Sequence, residues 1–182
     1  MKKITVYAVI VLSIGLLWIG CASSEQEECT SIPGNYSVSK ILTGFACAKG
    51  GADVTINNDD TAFPAASTLA ITQLSCSLVA SESVLFAGAV NIPYLGSANE
   101  DDEFTLNINT SSAPPIPLTL DVGAFGELSC EFTASITWNG NDNGSGHLSG
   151  SIANTLTLVV AGSNANCPDT CAVTQSFTAS KL

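Results

Sequence analysis

The chain has 182 residues, 5 Lys plus Arg against 16 Asp plus Glu, and a formal net charge of -11. That length holds one ordinary domain or two very small ones, and an apolar fraction of 46% excludes a wholly disordered chain. The acidic balance and the complete lack of Arg argue against nucleic acid as a partner, because phosphate backbones select Lys and Arg.

The first element is an export signal. Met1, Lys2 and Lys3 form a short basic head, and residues 4–19 are almost wholly apolar. Such a run is too short and too one-sided for an ordinary transmembrane helix. It ends Leu17, Trp18, Ile19, Gly20, Cys21. This resembles the bacterial lipoprotein signal, in which a small residue precedes an acylated cysteine; Trp18 stands where those signals usually carry Leu or Val. The resemblance implies cleavage after Gly20, lipidation of Cys21 with palmitate-type acyl chains, and attachment to a membrane through that N-terminal lipid. Ala22 follows the cysteine, which by similarity to enteric lipoproteins implies delivery to the outer membrane of a bacterial envelope. Residues 21–28 are then a polar, acidic tether, and residues 29–182 a single disulfide-stabilised domain. Processing would remove Lys2 and Lys3, leaving 3 basic against 16 acidic residues, or -13.

Six further cysteines follow: Cys29, Cys47, Cys76, Cys130, Cys167 and Cys171. An even number in an exported chain predicts three disulfides. Sequence does not choose among the pairings. Cys29 with Cys47 would close an N-terminal loop, and Cys167 and Cys171 are spaced to reach two different strands. A zinc site is the competing use of these thiols, but the chain has one His and no Cys-x-x-Cys.

From there the chain reads as strands separated by turns. Candidate strands cover residues 36–42, 52–56, 68–79 with a break near Ser75, 83–90, 104–108, 118–122, 130–138, 148–152, 155–160 and 172–179. The clearest is 130–138, where Cys130, Phe132, Ala134, Ile136 and Trp138 alternate with Glu131, Thr133, Ser135 and Thr137. Period two with one apolar face is a half-buried strand. Residues 49–51, 57–60 and 139–146 have turn composition, and the proline-rich 111–117 segment reads as a crossing loop. No helical stripe with caps is present. The expected fold is all-β: an antiparallel meander of about nine or ten strands closed, or partly closed, into a β-barrel, with a two-sheet sandwich as the alternative.

The strand layout, Gly turns and cysteines also resemble lipocalin-like and other β-barrel secreted lipoproteins. Gly34, Asn35 and Tyr36 occupy the place of the lipocalin Gly-x-Trp entry motif, with Tyr for Trp.

Site candidates are few. Glu100, Asp101, Asp102 and Glu103 form the densest acidic run, and four adjacent like charges would gain from a cation such as calcium. Asp59 and Asp60 are candidates to join them. Asn139, Asn141, Asn143 and Gly144 have the spacing of half a calcium loop, but the position of its closing Glu is Gly150. Trp138 is the only Trp after the signal segment and the first candidate for a ligand contact. His147 has no marked nucleophile to serve, since no Gly-x-Ser-x-Gly elbow is present, and no catalytic residues are assigned. The sequence therefore favours a lipid-anchored, non-enzymatic binding module for a small ligand or an envelope component. A structural or interaction lipoprotein of the cell surface is the alternative, and a hydrolase the third reading.

Overall fold

The computed structural model describes residues 29–56, 63–86, 88–108, 115–159 and 164–182. The signal segment, Cys21, the tether, Asp59 and Asp60 lie outside the described residues. Ten strands follow in order: β1 (Gly34–Lys49), β2 (Ala52–Val54), β3 (Ala66–Leu74), β4 (Ser77–Phe86), β5 (Gly88–Ala98), β6 (Glu103–Ile108), β7 (Ile116–Asp121), β8 (Glu127–Asp142), β9 (His147–Leu158) and β10 (Thr170–Lys181). All pairings between them are antiparallel. The ladder β10-β9-β8-β6-β5-β4-β3-β1 closes on itself through β1–β10, giving an eight-stranded barrel, with β2 added to β1 and β7 to β8.

The two extra strands make the barrel branch. At its N-terminal end β1 pairs with β3, from Gly34↔Ile71 to Ser39↔Ala66, whereas at its C-terminal end it pairs with β2, from Cys47↔Val54 to Lys49↔Ala52. β8 does the same, pairing with β6 over Thr137 to Asn141 and with β7 over Glu127 to Phe132. An isolated bridge, Ile56↔Val122, joins the β2 and β7 sides. The lower half is thus a ring of eight strands. The upper half is a smaller ring of β1, β10, β9, β8, β7 and β2, closed at one place by that bridge. Two hydrophobic clusters match the two rings. Tyr36, Tyr94, Phe104, Leu106, Trp138 and Phe177 lead the lower one, and Leu118, Leu120, Phe132, Leu156 and Val173 the upper.

Alternation explains the inside and outside of this barrel. Leu148, Ile152, Asn154 and Leu156 of β9 point inward, while Ser151, Thr155 and Thr157 are exposed. An apolar interior under a Thr, Ser and Asn exterior is the reverse of a membrane-spanning barrel, whose outer face is an apolar band. In β1 the phase changes. Tyr36, Val38 and Lys40 are inward, a bulge falls between Leu42 and Gly44, and Cys47 is inward beyond it. A bulge adds one residue to one strand and so flips the alternation, which is why the simple pattern ends at Leu42. Gly140 and Gly150 face each other in the β8–β9 ladder. A Cβ on Gly140 would stand 2.6 Å from Phe104 and 2.8 Å from Phe177, so those rings require glycine there.

Several expected boundaries move. Residues 83–90 are not one strand: they divide between the end of β4 and the start of β5, which pair with each other up to Phe86 opposite Gly88. The expected strands 148–152 and 155–160 merge across Asn154 into β9, which ends at Leu158; Val160 lies outside the described residues. The 139–146 turn is shorter than its composition suggests, because β8 runs on to Asp142. The break at Ser75 is present, with Ser75 at φ 52. Pro117 lies in β7, which has β8 as its one ladder partner, and such an edge strand tolerates proline.

Three disulfides join Cys29 to Cys76, Cys47 to Cys171 and Cys130 to Cys167. The suggested Cys29–Cys47 loop is not formed. Cys29 instead pins the start of the domain to the β3–β4 turn at the bottom of the lower ring. Cys171 and Cys167 do reach different strands, β1 and β8, and both of their bridges lie in the upper ring.

Candidate functional site

The interior of the lower ring is apolar except at its upper end. There four strands each place a polar side chain inward: Lys40 on β1, Glu82 on β4, Asn154 on β9 and Gln175 on β10. All four are at least nine-tenths buried, from 2% exposed for Glu82 to 8% for Lys40 and Asn154. They line a cavity of about 40 Å³ at the junction of the two hydrophobic clusters. Tyr94 and Trp138 complete the floor, Ile136, Ile152 and Leu156 the wall, and the partly buried Phe63, Pro64 and Ile116 the rim. Unfilled space, with the solvent at the mouth included, is about 450 Å³. The cavity sits where the ladder splits, since the β6 register ends at Asn107↔Thr137 and the β7 register at Ile116↔Phe132.

The floor is a connected polar group. Lys40 Nζ donates to Glu82 Oε1 in an ion pair. Tyr94 Oη donates to Glu82 Oε2 at 2.8 Å, and Lys40 Nζ lies 5.2 Å from the Trp138 ring centroid, a cation–π geometry. Asn154 Nδ2 donates to Gln175 Oε1 at 3.5 Å. Burial, then the Glu82 charge, hold the Tyr94 hydroxyl well above its ordinary 10.0, and the Trp138 side chain, directed at the Tyr94 oxygen as a hydrogen-bond donor, pulls it down in part. Taking an ion pair out of water is costly, and it is tolerated here because both carboxylate oxygens are satisfied. Among the described residues three buried side-chain atoms have no partner in good hydrogen-bond geometry, Ser67 Oγ on β3 and, in this floor, Trp138 Nε1 and Asn154 Oδ1; the Trp138 donor has the Tyr94 oxygen as a neighbour but does not reach it well. Buried polar atoms are nearly always paired, so such orphans need a reason.

Trp138 therefore lines a cavity, fully buried, packed on Phe177 at 4.8 Å and edge-on to Tyr94 at 6.0 Å. Sequence reading singled out Trp138 but not Lys40, Glu82, Asn154 or Gln175. Lys40 and Gln175 carried a signal, because each falls in the inward phase of a strand whose other inward residues are apolar.

The remaining candidates lie elsewhere. Glu100, Asp101 and Asp102 lie in the exposed β5–β6 turn at the bottom of the barrel and Glu103 opens β6; Glu100 and Asp101 line a concavity of about 280 Å³ that also touches Cys29 and Cys76. Asn99 Oδ1 accepts the backbone N–H groups of Asp101 and Glu103, and Asp102 accepts from Thr30 Oγ1 at 2.7 Å. Among the described residues no group of three or more His, Cys, Asp or Glu converges as a metal site. The acidic run is thus ordered by its own turn. The Asn139, Asn141 and Asn143 series is not a loop: Asn139 and Asn141 stand on the outer face of β8, and Asn143 donates to Ser149 Oγ. His147 is exposed, with Nδ1 3.2 Å from Ser180 Oγ. Comparison of the chain with protein-family models and with curated protein sequences finds no match.

Proposed function

We propose that the protein is an exported, lipid-anchored, non-enzymatic binding module whose ligand enters the cavity at the branch of the barrel. One observation carries this reading: polar side chains from separate strands converge inside an apolar barrel and leave two buried polar atoms unpaired. A purely structural core gains nothing from such a group, since an apolar substitute would be as stable or more so. The closed space is too small for a bulky apolar ligand within the lower ring, whose interior is filled by aromatic side chains. The site instead suits a small polar group presented at the mouth. The cysteine pairing fits an oxidising compartment, and the lipidation proposed at Cys21 would hold the module on the envelope, with the outer membrane as its proposed address.

A second reading, an interaction lipoprotein, draws on the outer face of β3, β4 and β5. Val79 and Leu95 are direct ladder partners there, and Leu74 lies diagonally beside them; all three are at least half exposed. Native mass spectrometry of the protein, purified gently from its own host, separates the readings. A discrete small mass, lost on denaturation and absent from an Ile136→Trp variant that plugs the cavity, supports the binding module. A bare dimer, or a complex with an envelope protein that Ile136→Trp leaves intact, contradicts it in favour of the interaction role.

A further inference from the structure

We infer that the ligand of this cavity is a neutral amphiphile with a donor–acceptor head group, such as a primary amide or an alcohol on an apolar stem. This rests on the cavity being a ligand site and adds the chemistry of what fills it. Three features fix that chemistry. The first is hydrogen bonding. Trp138 Nε1–H is a buried donor with no acceptor in good geometry, the nearby Tyr94 oxygen included, and Asn154 Oδ1 a buried acceptor with no donor. A head group that both accepts and donates repairs the two together, and a head that only accepts or only donates leaves one orphan.

The second is charge. Lys40 and Glu82 already neutralise each other, and the second carboxylate oxygen of Glu82 is taken by Tyr94. A charged head would arrive in this largely buried space with no counter-ion left to meet it, and its desolvation would go uncompensated. The third is size and shape. The cavity of about 40 Å³ holds roughly three water-sized spheres at ~10–15 Å³ each, the size of an amide group. Beyond it the lining turns apolar, through Ile136, Ile152 and Leu156 to Phe63 and Ile116 at the rim. The stem would follow that wall outward, and the head would rest on the polar floor.

The test uses the full chain with Trp18→Phe, so that Trp138 is the sole indole. Octanamide, octanol, octanoate, octylammonium and the hydrocarbon hexane are titrated, with Trp138 emission and calorimetry as the readouts. Octanamide and octanol are expected to bind and shift the emission, with octanoate and octylammonium at least tenfold weaker. Asn154→Leu is expected to weaken octanamide roughly tenfold and to leave hexane unchanged. Equal affinity for hexane and octanamide would overturn the head-group inference while leaving the cavity a ligand site. Tighter binding of octanoate or octylammonium would overturn neutrality alone. Saturation by none of the five, with water as the only occupant, would overturn both this inference and the reading it rests on. Because the ligand comparison is made on the parent chain, it stands even where Asn154→Leu fails to fold.

Discussion

The two rings of the barrel share four strands and are held together in different ways. The lower ring is a complete ladder around a core of aromatic side chains, with Tyr94, Trp138, Phe177 and Phe104 in contact one after the next. Its one disulfide, Cys29–Cys76, sits at the far end and fastens the N-terminal segment rather than the ring. The upper ring has a smaller, mostly aliphatic core and, among the described residues, closes through a single bridge between Ile56 and Val122. It carries the other two disulfides, one across β1 and β10 and one from β8 to the segment before β10. Where hydrogen bonds and packing close the ring, cross-links are spared; where the ladder is thin, covalent bonds replace it. The cavity falls at the seam, where neither device is continuous.

The largest expected effects come from breaking the floor that joins the two rings. Glu82→Leu leaves Lys40 buried and unpaired, and should cost about 3–5 kcal/mol in denaturant unfolding. The double variant Lys40→Met with Glu82→Leu should recover most of that loss. A double variant as unstable as the single one would show that the pair itself, rather than an orphaned charge, supports the fold. Next, Cys130→Ala with Cys167→Ala removes a cross-link of the upper ring, at about 2–4 kcal/mol in the same measurement. Replacing Cys29 and Cys76 by Ala should cost a similar amount, but it should leave the Trp138 environment unchanged, as read by emission.

A smaller effect is set by pH. Burial raises both tyrosines of the described residues, Tyr94 and Tyr36, above the ordinary 10.0, Tyr94 the more strongly. Each is protonated in the folded protein at a pH where the unfolded chain has begun to lose its proton. Their contribution is therefore complete below pH 10 and is lost as the pH rises above it, through the raised folded values. Tyr94→Phe should lower stability at neutral pH by about 1.5–3 kcal/mol, through loss of the hydrogen bond to Glu82. The same substitution should flatten the alkaline decline, measured as unfolding free energy across pH 9 to 12.

The contrast between regions also shows what the sequence carries. The all-β class and the strand from Cys130 to Trp138 follow from alternation, because each inward position there is apolar; alternation fits a barrel and a sandwich alike, and the β1–β10 pairing decides for the barrel. Reading failed where an inward position is polar. Glu82 fell in the gap between two expected strands, 68–79 and 83–90, and Asn154 in the gap between 148–152 and 155–160. In linear sequence a polar residue at an inward position looks like the start of a turn; only ring closure turns both toward Lys40, Tyr94 and Trp138. Pro93 and Gly96 hid β5 in the same manner, by turn composition inside a strand. The branch was invisible for another reason: β1 and β8 change partners midway, and a pattern of alternation does not name partners. Of the site the sequence singled out Trp138, and the inward phase of Lys40 and Gln175 was a further signal.

Hydrogen exchange on the full chain, with Cys47, Cys171, Cys130 and Cys167 all replaced by Ala, tests most directly whether the two rings are separately secured. Loss of protection confined to β2, β7, the first half of β8 and the last part of β1, with β3 to β6 still protected, is the expected result. Uniform loss across both rings would contradict it and make the barrel one cooperative unit with no seam.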